Sequence, residues 1–239
     1  MLKRSIFRFL IIPTFLLISI EFAHAQAQIS LTGAGNQHDI ESWLSRNKLR
    51  NFGDEKGYVG ERFFNENWLT GTIQTVDGMV LRNTDIKYDI LMDQLITKIN
   101  KTPFVLKSGT VDNFVLKLNG EELLFRSVVV DNKVGYLQVL HSGNTSLYVR
   151  HSTKIIKRDE GNQAYGSGVA YDKYVTTKEF YASIGDSQPV QLKNSKKGLV
   201  TFFTDRSDDI GSFIKKNKVN LKSDDGMTSV FEYYNQLNQ

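Results

Sequence analysis

Residues 68–82 read WLTGTIQTVDGMVLR, and this stretch decides the fold. From Trp68 onward the sequence takes on the two-residue period of a half-buried β-strand. Asp77-Gly78 follows, a dipeptide typical of a tight hairpin turn, and a second apolar run begins at Met79. The stretch therefore predicts an antiparallel hairpin, with one strand over 68–76 and a return strand that begins over 79–82.

The same pattern continues to about residue 153. Ile86, Tyr88 and Ile90 alternate with polar residues, and a strand over 95–99 follows. The next predicted features are a turn over 101–103, a strand face formed by Phe114, Leu116 and Leu118, an Asn119-Gly120 hairpin, and a central strand over 123–130 that is buried on both faces. Strands over 136–141 and 147–151 then flank a turn at 142–145.

Two further strands are predicted, over 174–181 and 199–204, after a flexible Gly-containing loop over 157–170. Because the strands follow one another through hairpins without intervening helices, the sheet is expected to be antiparallel. The predicted fold class is therefore α+β and mainly β: an antiparallel meander, or curved sheet, with two amphipathic helices at the C-terminus.

The C-terminal helices are predicted from caps and apolar stripes. Asp205 and Asp208 stand at the start of a helix that carries Ile210, Phe213 and Ile214 on one face. Ser223 is a suitable cap for a second helix, with Asp224 and Asp225 in its first turn. The apolar residues of that helix recur at helical spacing, which predicts one buried stripe: Met227, Val230, Phe231, Tyr234 and Leu237.

The first 25 residues have the pattern of a signal peptide. Lys3, Arg4 and Arg8 precede an apolar run over 9–20, and Ala23-His24-Ala25 supplies the small-x-small pattern of a cleavage site. The run is shorter than the ~20 residues that span a bilayer, which argues against a membrane anchor. The predicted organisation is a signal peptide over 1–25, a polar segment over 26–57 with a short helix capped by Asp39, a β-rich domain over 58–204, and a helical pair over 205–239.

Composition narrows the chemistry. The chain contains no Cys, so disulfides, a thiolate nucleophile and Cys-based metal sites are excluded. Removing residues 1–25 takes away Lys3, Arg4, Arg8 and Glu21, which lowers the formal charge from +4 to +2. A nearly balanced surface favours no nucleic-acid partner.

The residues that could act in catalysis or metal binding also fit structural roles. His141 and His151 flank one turn, but a four-residue loop points them to opposite faces, and a three-residue loop leaves them roughly 13 Å apart on one face. In neither arrangement can the two imidazoles bind the same metal ion, because metal ligands must converge at about 2 Å. The pairs Asp208-Asp209 and Asp224-Asp225 fit helix N-termini, and Ser167 lies in no nucleophile motif. The lysines near the end fit a solvated helix terminus: Lys215, Lys216, Lys218 and Lys222. No catalytic, metal or cofactor-binding residue is predicted.

The order of several motifs resembles a set of uncharacterised exported proteins of Bacteroidetes-type, envelope-bearing bacteria. The motifs are Asn65-Glu66-Asn67-Trp68 with Gly71, Asp77-Gly78, Tyr88-Asp89, the cluster of Tyr171, Tyr174, Phe180 and Tyr181, the run 213–218, and Tyr233-Tyr234-Asn235. The resemblance covers about residues 60–237. It implies an exported β-rich protein and carries no known activity, cofactor or site residue.

Three function classes remain open. We expect a non-enzymatic envelope or secreted protein that binds a partner protein or a lipid or glycan component of the envelope. The alternative is a carrier that holds an apolar or lipid ligand inside the curved sheet, and an enzyme is the third possibility. The sequence leaves the oligomeric state open.

The predicted cleavage site gives a direct test of export. We expect the mature protein to begin at Gln26 and to be recovered from the soluble envelope or secreted fraction. N-terminal sequencing of the protein from its own cells measures this. Recovery of membrane-bound protein that retains Met1 contradicts it.

Overall fold

The structure is a computed structural model that describes residues 42, 45–46, 48–51, 58–99, 101–130, 132–157 and 172–238. β-Strands dominate these residues and three α-helices lie near the C-terminus, so the predicted fold class is confirmed. The predicted signal peptide, the cap at Asp39 and loop residues 158–170 lie outside the described residues.

Twelve strands form one sheet within the described part of the chain. Their bounds are β1 Lys48–Asn51, β2 Tyr58–Val59, β3 Leu69–Thr75, β4 Val80–Asp89, β5 Gln94–Ile99, β6 Thr102–Leu106, β7 Val111–Leu118, β8 Glu121–Val130, β9 Lys133–His141, β10 Thr145–Ile156, β11 Asp172–Ile184 and β12 Val190–Leu192. The order across the sheet is β1-β6-β5-β4-β3-β7-β8-β9-β10-β11-β12. All these neighbours are antiparallel, and β2 pairs in parallel with β11.

The decisive hairpin is confirmed as β3 and β4. Two other predictions in the sheet need correction. The turn predicted over 101–103 is present at Lys101, but Thr102 and Pro103 already belong to β6, where Pro103 lies opposite Lys98. The 123–130 strand is central in the sheet but not buried on both faces, because Arg126 is exposed and Val129 is 55% exposed. An apolar run alone does not establish that a strand is buried on both faces, because burial depends on what covers each face.

The sheet curls until β4 meets β10 through residues 61–64. Phe63 bridges to Asp89, and the Ile90 amide donates to the Arg62 carbonyl at 3.2 Å. The Thr153 amide of β10 in turn donates to the Ile90 carbonyl at 3.1 Å. The Thr153 hydroxyl donates to the Glu61 carbonyl at 3.2 Å. These bonds join two strands that are separated by four others in the sheet order.

One row of directly opposed residues runs across eight strands on a single face of the sheet. In order from β4 to β12 it contains Leu81, Ile73, Phe114, Phe125, Gln138, Val149, Phe180 and Leu192. Every member is buried. The residues before Gln138 pack inside the curl, whereas those after it pack under the helices. The same face of the sheet is therefore buried in two ways, by the curl of the sheet itself and by the helices.

The helices are α1 Lys196–Phe202, α2 Ser207–Lys216 and α3 Asp224–Leu237, with a 3₁₀ helix over Thr204–Arg206. The predicted strand over 199–204 is wrong, and the helical part begins at Lys196 rather than at 205. The Ser195 side chain accepts the Gly198 amide at the start of α1. Leu199 and Phe203 are four residues apart and both fully buried, which is a helical spacing.

The caps are confirmed at α3 and corrected at α2. Ser223 accepts the Gly226 amide at 3.1 Å, and Asp224 and Asp225 lie in the first turn of α3. Asp205 does not cap α2, because it lies in the 3₁₀ helix and accepts the Tyr234 hydroxyl instead. The Asp205 side chain, which the local sequence predicts as a helix cap, instead makes a tertiary hydrogen bond with Tyr234.

The apolar stripe of α3 covers the sheet, as predicted. Met227, Val230, Phe231 and Tyr234 are buried, while Leu237 is partly exposed. The Phe231 ring lies 5.1 Å from the Phe203 ring between centroids. These side chains share a cluster with β10, β11 and β12, so α3 is part of the core.

Truncation of Phe231 tests how much this packing contributes. Phe231→Ala should lower the free energy of unfolding by roughly 3–5 kcal/mol, because it removes a ring that is fully buried. Gln236→Ala changes an exposed residue of the same helix and should have an effect within about 0.5 kcal/mol. Urea denaturation of both variants beside the parent measures this, and coincident midpoints would contradict the packing.

Candidate functional site

Aromatic rings fill the inside of the curl. The Phe114 and Phe125 rings stack with centroids 4.7 Å apart. Tyr88 lies edge-on to both rings, at 5.6 and 5.5 Å, and 5.7 Å from Tyr136. Phe64 closes the group at 5.2 Å from Phe125. Spacings of this kind are those of a packed aromatic core, so the space that a ligand would need is occupied by side chains.

A polar cluster lies at one edge of this aromatic core, around Asp93. The carboxylate accepts the Tyr88 hydroxyl at 2.7 Å and the Tyr136 amide at 3.3 Å, both on Oδ1. Its Oδ2 lies 3.6 Å from the Arg150 guanidinium, and both side chains are about a quarter exposed. Among the described residues this is the best candidate site, because it joins an acid, a phenol and a cation.

Burial raises the pKa of both acids in the cluster. Burial raises the pKa of the Asp93 carboxyl, and the hydrogen bond from Tyr88 and the charge of Arg150 oppose that change. Burial also raises the pKa of the Tyr88 phenol well above its usual value, and the Asp93 charge adds to the effect. The Tyr88 proton therefore stays on the phenol, where it serves the hydrogen bond.

The backbone around the cluster is shaped to admit the carboxylate. Asp93 has a φ of 52°, a left-handed conformation that Asp tolerates better than most residues. Gly135 leaves room for it, since a Cβ there would lie 2.5 Å from Asp93 Oδ2. With both carboxylate oxygens engaged, the arrangement fits a structural tie between the β4–β5 turn and β9 better than a general acid.

A second buried polar pair consists of His151 and Gln138. His151 Nε2 lies 2.7 Å from Gln138 Oε1, so the ring donates to the amide oxygen. The Phe64 ring stands edge-on to the imidazole at 4.9 Å. Burial, followed by the charge of Lys178, lowers the pKa of His151 to about 4, while Asp224 opposes the change. The imidazole is therefore neutral near pH 7.

The two histidines that flank the β9–β10 turn bind separate amides. His141 lies opposite Leu147, a pairing that neither predicted loop length gave, because a register shift falls between Leu147 and Tyr148. His141 contacts Asn235, whereas His151 contacts Gln138. Within the residues that the structure describes, no group of three or more His, Asp or Glu side chains is arranged to hold a metal ion.

The acidic pairs lie where their helices begin. Asp208 and Asp209 lie in the first turn of α2, and Asp224 and Asp225 in that of α3. Asp224 also pairs with Lys178 of β11 at 2.7 Å. Lys215 and Lys216 end α2, and the predicted lysines there are exposed: Lys215, Lys216, Lys218 and Lys222. Ser167 lies outside the described residues.

One lysine of β4 and one of β5 lie over aromatic rings. Lys87 lies 4.2 Å from the Phe63 ring centroid, and Lys98 lies 4.1 Å from that of Trp68. Lys98 also pairs with Asp85 at 3.2 Å. These ammonium groups occupy the ring faces on which a sugar would stack, so the arrangement fits surface cation–π packing.

Comparisons with known proteins identify no family for this chain. Searches against family models, curated proteins and solved structures give no match. No helix among the described residues is both long and apolar enough to span a bilayer.

The polar residues that the sequence analysis missed are Asp93 and the ion pair of Arg62 with Asp89. Arg62 donates to Asp89 Oδ2 through Nε at 2.9 Å and through a terminal nitrogen at 2.6 Å, and both residues are buried. Asp93 follows a strand and carries no motif. Asp89 falls at a polar position of the alternation with Ile86, Tyr88 and Ile90, so nothing in the local pattern marked it as buried.

The buried neutral imidazole predicts acid destabilisation. Since the folded-state pKa of His151 is about 4 against 6.5 ordinarily, the unfolded chain binds a proton that the folded chain does not. This contribution is fully present above pH ~6.5 and is lost as the pH falls toward 4, by about 2–3 kcal/mol at pH 4.5.

His151→Gln removes the titrating group and keeps an amide near Gln138. Between pH 7.5 and pH 4.5 the free energy of unfolding should fall in both proteins. The fall in the variant should be smaller than that in the parent by about 2–3 kcal/mol. Urea denaturation at the two pH values measures the difference. An equal fall in parent and variant contradicts the assignment.

Proposed function

We propose that the chain is a non-enzymatic exported protein that binds a partner protein through its outer surface in the cell envelope. The observation that carries this is the filled interior of the curled sheet. Five rings pack there with neighbouring centroids between 4.7 and 5.7 Å apart. A ligand or partner then has to be met on the outside.

Export rests on the sequence. The basic residues, apolar run and Ala23-His24-Ala25 of the first 25 positions support it, as does the resemblance to exported envelope proteins.

The carrier alternative has less support. Ligand sites usually enclose roughly 300–1,000 Å³. The depression beside Phe64, Asn65, Leu69 and Leu116 has about 140 Å³ of empty space, part of it open to solvent. The enzyme alternative has less support too, because the oxygens of Asp93 are taken up by Tyr88, Tyr136 and Arg150.

Exposed apolar side chains offer places where a partner can be tested. Val129 and Val134 lie opposite each other on β8 and β9 and are 55% and 39% exposed. Ile155 and Ile156 end β10, and Ile184 and Val190 lie on either side of the β11–β12 turn. The last two pairs are also exposed. None of these six side chains belongs to a buried cluster.

The test is chemical cross-linking in the protein's own cells, followed by native mass spectrometry of the purified protein. We expect a cross-linked protein partner and no stoichiometric lipid. The matched variants are three pairs of Glu substitutions: V129E with V134E, I155E with I156E, and I184E with V190E. Loss of the cross-link in one variant, while the other two keep it, supports an outer-surface site and locates it.

Two results would overturn the proposal. Stoichiometric lipid that stays bound through purification points to the carrier. A cross-link that survives in all three variants at parental strength, or none in the parent, argues against a protein partner at these surfaces.

A further inference from the structure

The end of helix α3 is fastened to the β9–β10 turn by one side chain, Asn235. Its Oδ1 accepts the Thr145 amide at 3.1 Å and the Thr145 hydroxyl at 2.9 Å. Its Nδ2 lies 2.7 Å from His141 Nε2 and donates to the Thr145 carbonyl at 3.3 Å. All four polar contacts join α3 to strands more than 85 residues earlier in the chain, since Asn235 is 90 residues from Thr145 and 94 from His141.

The direction of each bond is fixed by the Thr145 backbone. A backbone N–H can only donate, so the atom of Asn235 that faces it must be the oxygen. The amide nitrogen then faces His141, and Nε2 of the imidazole has to accept. The fastening therefore requires a neutral His141 with its proton on Nδ1.

The site is tight around this amide. A Cβ on Gly143 would lie 2.6 Å from Asn235 Nδ2 and 3.6 Å from His141 Nε2, so the turn leaves room for the amide only as a glycine. Thr145 is fully buried. An Asn235 amide that turned over to suit a protonated imidazole would present its NH₂ group to the Thr145 amide and its oxygen to the Thr145 carbonyl, and would lose both backbone hydrogen bonds.

The charge that acts on His141 comes from α3 itself. Burial lowers the pKa of the imidazole from its ordinary value of 6.5, and the charge of Glu232, one turn before Asn235, raises it by less. β10 places the apolar Leu147 opposite His141. The 3₁₀ helix contributes a second, independent fastening of α3, because Tyr234 donates to Asp205 at 3.0 Å and Arg206 donates to the Leu237 carbonyl at 3.3 Å.

We propose that His141 and Asn235 form a pH-sensitive fastening of α3, closed while the imidazole is neutral and opened when it is protonated. Protonation places an N–H of the ring against an N–H of the amide, and the bond becomes a repulsion. The contacts of α3 with the 3₁₀ helix are unaffected, because Tyr234 and Leu237 keep their hydrogen bonds to Asp205 and Arg206. The device is fully closed above the ordinary pKa of histidine and opens as the pH falls.

Two substitutions separate this proposal from a merely structural role. His141→Gln supplies a carbonyl oxygen that accepts from Asn235 at every pH, so the fastening should no longer respond to acid. Asn235→Asp accepts from Thr145 with one oxygen and from the ring N–H with the other, so it should reverse the sign of the response.

The readouts on the intact chain are the NMR titration of His141 and hydrogen exchange of the Thr145 amide. In the parent the titration midpoint should lie below 6.5. Exchange protection of Thr145 should fall by roughly two- to tenfold once the pH drops below that midpoint, as expected for the loss of one hydrogen bond. His141→Gln should keep its protection over the same range, and Asn235→Asp should move the midpoint above 6.5.

A parental midpoint at or above 6.5 would overturn the proposal. So would equal pH dependence of Thr145 protection in the parent and in His141→Gln, or an unchanged midpoint in Asn235→Asp. If either variant fails to fold, the midpoint and the Thr145 protection of the parent decide, because both are measured on the unaltered chain.

Discussion

The curled sheet depends on the buried pair of Arg62 and Asp89. A buried ion pair repays its desolvation only when the remaining hydrogen-bonding groups are satisfied, and here they are. Asp89 Oδ2 accepts twice from the guanidinium, and Oδ1 accepts the amides of Leu91 and Met92. The pair fixes residues 61–64 against β4 and shapes the turn that follows. Ile90, next to Asp89, bonds to the Arg62 carbonyl and to the Thr153 amide of β10, so the ion pair lies where the curled sheet meets itself.

The curled sheet buries side chains on both of its faces. The face that carries Gln138 and His151 is rolled on itself on one side of them and covered by helices on the other. A smaller buried cluster on the opposite face contains Val130, Leu137, Tyr148 and Tyr181. The polar side chains that reach inward are used for closure. Asp93 ties a turn to β9, and His151 satisfies Gln138. The packed interior therefore serves stability, and the proposed function starts from this observation.

Local signals in the sequence were enough for most of the fold. Asp77-Gly78 and Asn119-Gly120 mark turns because their backbones adopt positive φ readily, and Ser223 caps α3 as predicted. The strand predicted over 199–204 is wrong because a short apolar run fits either a strand or a helix. Its buried position against α2 and α3 favours the helix. The polar contacts could not be predicted at all. Arg62 and Asp89 are 27 residues apart, and His141 and Asn235 are 94 apart. No local pattern reports such pairings.

The division of the core at Gln138 has a consequence for the order in which the protein is made. Every member of the cluster inside the curl lies between Phe64 and Tyr136, and every member of the helix-covered cluster lies between Leu140 and Tyr234. During synthesis all side chains of the first cluster are thus present before the first residue of the second is added. The curl still needs β10, whose Thr153 bonds to Ile90. The growing chain therefore gains its two larger clusters one after the other, and β9 joins the strands of the first to those of the second.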